Sequence, residues 1–386
     1  MHDVANPEEF RILLRNWLED NCPEELRDGG NDEANICWGG KRWAFQSEAQ
    51  KTWLDRMAAQ GLTVPTWPRE YGGAGLDRAR EKVFHEEMAQ LNARYPLQSF
   101  GIWMLGPALL QFGTHEQKLE YLPPIARGEI RWCQGYSEPG AGSDLASVQS
   151  KCEDKGDHWL VNGQKIWTSY ADQADWIFAL LRTDKDAPKH KGISFVLINM
   201  ESAGVSTKPI RLISGKSPFC ETFFDDVQVP KGQVVGEVNR GWDVAKYLLT
   251  HEREMISAGG SVMGGGRAVG AVINDSETGL TDPVLRADAM RVEVDNLAVS
   301  LTLERYKDQA EAGQGTGDAS AMLKYMGTEL NKRKLELVMA AGGADALDWD
   351  DDRAPTWLRT KANSIEGGTS EVMLSILSKR VLGLPG

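Results

Sequence analysis

The apolar residues of this 386-residue chain change their spacing twice, and that change limits the folds open to it. Up to about residue 127 they recur every three to four positions, the period of an amphipathic helix. Between about residues 128 and 235 they alternate or run in short solid blocks, as half-buried and fully buried strands do. After Gly241 the helical spacing returns. The spacing predicts an α–β–α order and an α+β fold. The expected division is a helical domain over 1–127, a β domain over 128–236 and a helical bundle over 237–386.

Local signals support each block. Asn6-Pro7-Glu8-Glu9 combines an N-cap, a proline at the first helical position and two acids at the positive end of the helix dipole. Phe10, Leu13, Leu14, Trp17 and Leu18 then form one apolar stripe. A second helix carries Trp53, Leu54 and Met57 and stops at Gly61, before a long turn containing Pro65, Pro68, Gly72, Gly73 and Gly75. Thr114 and Gln117 have capping-box spacing, and Pro123-Pro124 marks the expected end of that helix. In the β block, Asn162-Gly163 between two short runs predicts a two-residue hairpin turn. Strands are expected over 176–181, 193–198 and 221–229. Asp282-Pro283 opens a later helix with an apolar stripe of Met290, Val294, Leu297 and Leu301. Residues 313–317 break the chain, and Asp318 caps a long helix reaching Met339.

Composition narrows the function. Forty-three basic against 56 acidic residues give a net charge of −13, which disfavours a phosphate-backbone surface and hence a nucleic-acid partner. No apolar run approaches the ~20 residues of a membrane span. Met1-His2-Asp3 leads straight into a helix-like start, so no targeting segment is expected. The five cysteines (22, 37, 133, 152 and 220) contain no CxxC pair. That points to a reducing cytoplasm, without a disulfide framework or a metal site.

The stretch Gly135-Tyr-Ser-Glu-Pro-Gly-Ala-Gly-Ser-Asp144 leaves the backbone bare enough to approach an anion or a planar ring. Ser137 and Ser143 add hydroxyls. The competing reading is a glycine-rich surface turn. The pattern is neither GxGxxG nor a P-loop. Gly259-Gly260 and Gly264-Gly265-Gly266 fall within helical periodicity and fit close helix packing better.

This stretch, with 161–169 (Val-Asn-Gly-Gln-Lys-Ile-Trp-Thr-Ser), 224–230 (Phe-Asp-Asp-Val-Gln-Val-Pro), 367–371 (Gly-Gly-Thr-Ser-Glu) and 380–385 (Arg-Val-Leu-Gly-Leu-Pro), resembles the acyl-CoA dehydrogenase family across nearly the whole chain. In wording it is most like the large subunit of pimeloyl-CoA dehydrogenase and related heteromeric enzymes. The resemblance implies a middle β-barrel domain, a C-terminal four-helix bundle, FAD as cofactor, an acyl-CoA substrate and an electron-transfer flavoprotein as acceptor. It puts Gln134, Tyr136, Ser137 and Gly142 along the flavin, with Ser143 near both the diphosphate and the substrate. Trp167 would cover one flavin face, although a strand tryptophan in the β core is the plainer reading. Ser169 would bond near N5, while Thr369 and Glu371 would touch the adenosine end.

Dehydrogenation of a thioester needs a carboxylate aimed at the α carbon, in an apolar site that raises its pKa. One branch of the family places a glutamate directly before Gly-Thr, where this chain has Gly367. The other places it before an arginine on the first helix of the bundle, matching Glu252-Arg253. Glu252 falls inside the stripe Ala245, Leu248, Leu249, Met255, Ile256 and Gly259, and is the favoured base. A salt bridge at a subunit contact is its bland alternative, and Glu366 is the rival base. The resemblance also implies a substrate role for Arg253, and a Gly367 N–H that donates to the thioester carbonyl.

Two segments depart from the family. Where it carries Arg-x-x-Phe, this chain has residues 273–280 with Asp275 and Glu277; where it carries Gln-x-x-Gly-Gly, Met339 replaces glutamine. These segments supply the neighbour's contacts to FAD in homotetramers, so a homologous second subunit is the expected partner. A non-catalytic structural subunit is the alternative function, and an oxidase or desulfinase on the same scaffold stays open.

Overall fold

A computed structural model of the chain describes residues 3–4, 6–30, 35–258, 269–270, 281–312, 314 and 320–385, with side chains at all of these except 250–258, 307, 310–311 and 320. It divides into two compact units, Met1–Pro209 with Phe219–Leu248, and Ile210–Pro218 with Leu249–Gly386.

The first unit begins with helices α1 (Pro7–Asn21), α2 (Glu48–Ala59), α3 (Arg78–Gln90), α4 (Gly106–Phe112) and α5 (His115–Ala126). Asn6 caps α1, its Oδ1 accepting from Glu8 N at 2.9 Å and Glu9 N at 3.2 Å. The buried face of α1 is narrower than the sequence stripe. Phe10, Leu14 and Leu18 are buried, while Leu13 points outward. Gly61 closes α2 at φ 67°, with Leu62 N donating back to Met57 O at 2.8 Å.

The Thr114–Gln117 capping box forms in both directions. Contrary to expectation, α5 runs through Pro123 and Pro124 to Ala126. The prolines occupy its final turn, and reversal is left to Gly128 at φ 68°, where Arg127 N bonds Pro123 O at 3.1 Å.

Eight strands follow: β1 (Trp132–Gly135), β2 (Lys151–Asp154), β3 (His158–Ser169), β4 (Trp176–Arg182), β5 (Ile193–Asn199), β6 (Val205–Ile210), β7 (Phe219–Pro230) and β8 (Val234–Val235). They form one sheet in the order β6-β7-β3-β2-β4-β5-β8, with β1 parallel to β4. The Asn162-Gly163 hairpin does not exist. Both residues lie inside β3, where the register against β7 slips between Val161 and Gly163. Gly163, at φ 153°, lets β3 pass Ser150, whose Cα would sit 2.7 Å from an added Cβ. The turn falls instead between β2 and β3, where Lys155 N bonds His158 O at 3.0 Å.

β4 and β5 read as solid apolar runs because both of their faces are buried. Phe178, Leu180, Phe195 and Leu197 pack with Leu109, Leu122 and Ile125 of α4 and α5. Ile177, Ala179, Val196 and Ile198 pack with Val161, Val227 and Val229 of β3 and β7. Helix α6 (Gly241–Ala258) begins in this unit and buries Val244, Ala245 and Leu248.

The second unit contains α7 (Pro283–Glu311), α8 (Ser320–Gly342), α9 (Arg353–Thr360) and α10 (Ser370–Ile376). Asp282 caps α7, accepting from Val284 N at 2.8 Å and Leu285 N at 3.2 Å. The stripe expected to be core is the outer one: Met290, Val294, Leu297 and Leu301 are 55–63% exposed. The smaller row of Ala289, Val292 and Val299 packs on Leu330, Leu337 and Ala341 of α8 instead. The expected break at 313–317, Asp318, the glycines at 259–260 and 264–266, and residues 273–280 lie outside the described residues, save Gln314.

All five cysteines are buried free thiols. Among the described residues, no helix is long and apolar enough to cross a membrane.

Glu87 of α3 is buried and accepts from Arg15 Nε and Arg11 NH1, both at 2.8 Å. Arg15, then Arg11, hold its carboxyl below the usual range against the opposing effect of burial. Such a group contributes stability fully above its unfolded pKa and loses it as pH falls through the folded one. Stability in urea is expected to stay level down to about pH 5 and to drop below about pH 4.3. Glu87→Gln is expected to flatten part of that drop, and an unchanged acid limb would contradict it.

Candidate active site

Lys165 of β3 is fully buried, at a position whose neighbours in alternation are apolar. Its ammonium donates to Leu180 O at 2.6 Å, to Glu138 Oε1 at 2.7 Å and to Tyr136 O at 3.2 Å. Glu138 accepts in turn from Gln149 N at 2.6 Å and Ser150 N at 2.9 Å. Burial pushes the lysine below its usual range, against the pull of Glu138. Burial would raise Glu138, but the lysine charge and the two amides outweigh it and hold the carboxyl low. The pair therefore fastens β3, β4 and the segment after β1 at one point.

That segment is the glycine-rich loop. Glu138 and Ala141 exchange backbone hydrogen bonds at 3.0 Å, and Ile166 N donates to Ser137 O at 3.0 Å. Gln134 and Ser137 are half-buried, Tyr136 is buried, and Gly142 and Ser143 are exposed. An added Cβ at Gly140 or Gly142 meets no atom within 4 Å, and neither residue has a positive φ. Neither packing nor backbone conformation in this chain demands glycine there. A bare backbone at these positions suits a ligand lying against it.

Two residues beyond Lys165, β3 slips register again, between Lys165 and Thr168. Trp167 sits in this bulge at φ 59° and Tyr170 follows at φ 51°. A left-handed conformation strains a bulky residue by about 1–3 kcal/mol and is concentrated at functional sites. The indole is 52% exposed and meets Phe219 edge-on at 6.0 Å. Trp167 is thus not a core strand tryptophan: the bulge turns it outward. Ser169 ends β3, half-buried, opposite Phe219. Buried Arg131 places its guanidinium 5.0 Å from the ring centroids of both Trp38 and Tyr170, which contact each other at 5.2 Å.

In the second unit, Gly367 and Gly368 have φ 63° and 98°, and Gly367 is exposed. Among the described residues, neither N–H has a protein acceptor. Thr369 caps α10, its Oγ1 accepting from Val372 N at 3.2 Å, and exposed Glu371 stands in the first turn. Glu366 is engaged by Arg359 through two hydrogen bonds, at 2.8 and 3.2 Å, and by Asn363 Nδ2 at 2.6 Å. Its oxygens are thereby committed. Glu252 and Arg253 lie on α6, where their side chains are outside the described ones.

Residues 38–129, 133–227 and 239–382 match the acyl-CoA dehydrogenase N-terminal, middle and C-terminal domains. The chain is 38% identical over 394 residues to the acyl-CoA dehydrogenase IpdE1 of Mycobacterium tuberculosis, covering 100% of this chain and 99% of that one. The chain belongs to the acyl-CoA dehydrogenase family. It shares that family's three-part α+β architecture and is a flavin-dependent oxidoreductase. Among solved structures, the Tcur3481-Tcur3483 steroid ACAD superposes with a TM-score of 0.76 at 30% identity, covering 99% of this chain and 98% of that one. The ChsE4-ChsE5 complex from Mycobacterium tuberculosis gives 0.72 at 28% identity, covering all of both chains.

The residues present fit a flavin: an outward indole on a bulge, and a loop with open glycine backbone and an exposed Ser143. Sequence reasoning quoted Lys165 and Glu138 without giving either a role. The available signal was a lysine at an inward-phased strand position, which burial forbids unless it is paired.

Lys165→Met leaves Glu138 buried and unpaired, and is expected to destabilise the protein by about 3–5 kcal/mol in urea unfolding. Trp167→Gly relieves the left-handed strain and removes a half-exposed ring. It is expected to leave the melting temperature within a few degrees while weakening FAD binding about tenfold or more. A large loss of stability with unchanged FAD affinity would make Trp167 a structural residue only.

Proposed function

We propose that this chain is the catalytic subunit of a heteromeric acyl-CoA dehydrogenase that introduces an α,β double bond into an acyl-CoA thioester. The observation that carries this reading is the strained, outward Trp167, which follows the Ile166 whose N–H holds the glycine-rich loop at Ser137, together with the open backbone at Gly140 and Gly142. FAD, when bound, supplies the acceptor for the β-hydride.

The chain's own residues do the rest. Glu252 takes the α proton, with Arg253 and Ser143 on the substrate. The Gly367 N–H donates to the thioester carbonyl as enolate character grows, acidifying the α C–H before the base acts. Glu366 is disfavoured as base because Arg359 and Asn363 occupy its oxygens. Gln134, Tyr136, Ser137, Gly142 and Ser143 hold the cofactor by backbone and hydroxyl groups, Ser169 bonds near N5, and Trp167 excludes water. Thr369 and Glu371 serve the adenosine end. Electrons pass on to an electron-transfer flavoprotein, in a β-oxidation step of cytoplasmic lipid metabolism.

A second, homologous subunit is supported by Met339 in place of glutamine and by the acids at 275 and 277. The outward apolar stripe of α7 supports it too, as a face suited to a partner helix. Two structural neighbours are named as two-protein assemblies, and one of them as a steroid ACAD. With no side chain at Gly367, a bulky, ring-bearing acyl group is the favoured substrate. A non-catalytic subunit would have no need of the strained Trp167.

Purified alone, the chain is expected to carry little flavin, and co-expression with the homologous subunit is expected to restore it. Near-complete FAD on the chain alone would remove the partner from this reading. In the loaded enzyme, Glu252→Gln is expected to lower kcat by about 10²–10⁴, and Glu366→Gln by far less. The reverse ranking would move the base to Glu366.

A further inference from the structure

The loop bearing Gly367 is fastened to α8 through a polar cluster that the proposed chemistry leaves unexplained. Lys324 of α8 is 2% exposed, and its Nζ donates to Asn363 O at 3.0 Å. Asn331 Nδ2 reaches Asn363 Oδ1 at 3.0 Å. Lys332 Nζ donates to Ser364 Oγ at 3.2 Å and to Glu329 Oε2 at 3.0 Å. The other oxygen of Glu329 accepts from Ser370 Oγ at 2.9 Å. Ser370 N donates to Ser364 O at 2.9 Å and closes the stem.

Asn363, Ser364 and Ser370 are therefore tied to one helix, and only 365–369 project beyond the ties. Ile365 at the start of this tip is 65% exposed, and both glycines are left-handed with unpartnered amides. A buried lysine is an expensive way to pack a loop on a helix, since apolar residues of similar volume do so at less desolvation penalty. What its ammonium adds is a fixed carbonyl position. A rigid stem under a bare tip is the arrangement a preorganised donor needs.

We propose that Lys324 is a positioning residue which, with Glu329 and Lys332, sets the backbone of the 365–369 tip so that its free amides point at a ligand oxygen. This rests on reading Gly367 as the donor to the thioester carbonyl.

The test is Lys324→Met in the protein as purified, with whatever partner and flavin it carries. Of the carboxylates near Lys324, Glu366 keeps Arg359 at 2.8 Å and Glu329 keeps Lys332 at 3.0 Å, while Glu371 is exposed to solvent. Hydrogen exchange by mass spectrometry is expected to show the hydrogen-bonded amides that frame the tip, those of Ile365, Glu366 and Ser370, exchanging about tenfold faster, with α7 unchanged. Lys324→Arg, which restores a donor, is expected to recover most of the protection. Should Lys324→Met fail to fold, Ser370→Ala frees the Glu329 tie with almost no change in volume and is expected to loosen the same amides. Unchanged tip exchange in the variant that folds would overturn the proposal, as would loosening spread evenly over the unit.

Exchange needs no ligand, so the thioester reading is judged separately. A ring-bearing thioester, 3-cyclohexylpropanoyl-CoA, isotope-labelled at the carbonyl carbon, is expected to show a lowered C=O stretch when bound to the wild type and a smaller lowering in Lys324→Met. No lowering in the wild type would sink the carbonyl role of Gly367 and leave the exchange result to decide on Lys324.

Discussion

The ammonium of Lys165 joins three backbone segments that the chain's order keeps apart. From β3 it reaches the glycine-rich loop after β1, through Tyr136 O and Glu138, and the middle of β4, through Leu180 O. No apolar side chain does this, because packing fixes surfaces whereas a buried cation fixes particular oxygens. Glu138 extends the tie to Gln149 and Ser150, so the loop has nowhere to relax. A strained residue persists only where its surroundings over-determine it. Trp167, two residues from Lys165, is held in that way.

The two units repeat one device. In each, a buried lysine holds a main-chain carbonyl: Lys165 bonds Tyr136 O and Leu180 O, and Lys324 bonds Asn363 O. In each, the segment so fastened ends in glycines with exposed backbone, at 140 and 142 in the first unit and at 367 in the second. The scaffold is rigid where it meets itself and bare where a ligand would meet it. Catalysis by backbone donors favours such preorganisation, since a mobile amide must be ordered during the reaction.

Features governed by near neighbours were legible in the sequence. Asn6, the Thr114–Gln117 box and Asp282 cap the helices their spacing predicts. The failures lie where a distant residue decides. Asn162-Gly163 has the chemistry of a hairpin turn, yet Ser150 needs the missing Cβ inside a continuous strand. Pro123-Pro124 looks like a helix end, but α5 gives up the two bonds that N–H groups at these positions would make to the carbonyls of Leu119 and Glu120, continues to Ala126, and leaves the reversal to Gly128. On α7 two apolar rows compete, and the smaller side chains take the inner face. The candidate site was named through family resemblance. Its mechanics, the Lys165–Glu138 pair and the left-handed Trp167, depend on contacts across 27 residues and on a bulge that no local pattern announces.

We propose above that the chain removes hydrogen from the α and β carbons of a thioester. The direct measurement is anaerobic mixing of the flavin-loaded enzyme with a saturated, ring-bearing acyl-CoA, following the flavin's visible band and the mass of the thioester together. The account predicts that the band bleaches as the thioester loses two hydrogen atoms and keeps its CoA. A thioester that is hydrolysed, or that stays unchanged while the flavin stays oxidised across a range of acyl groups, would contradict it.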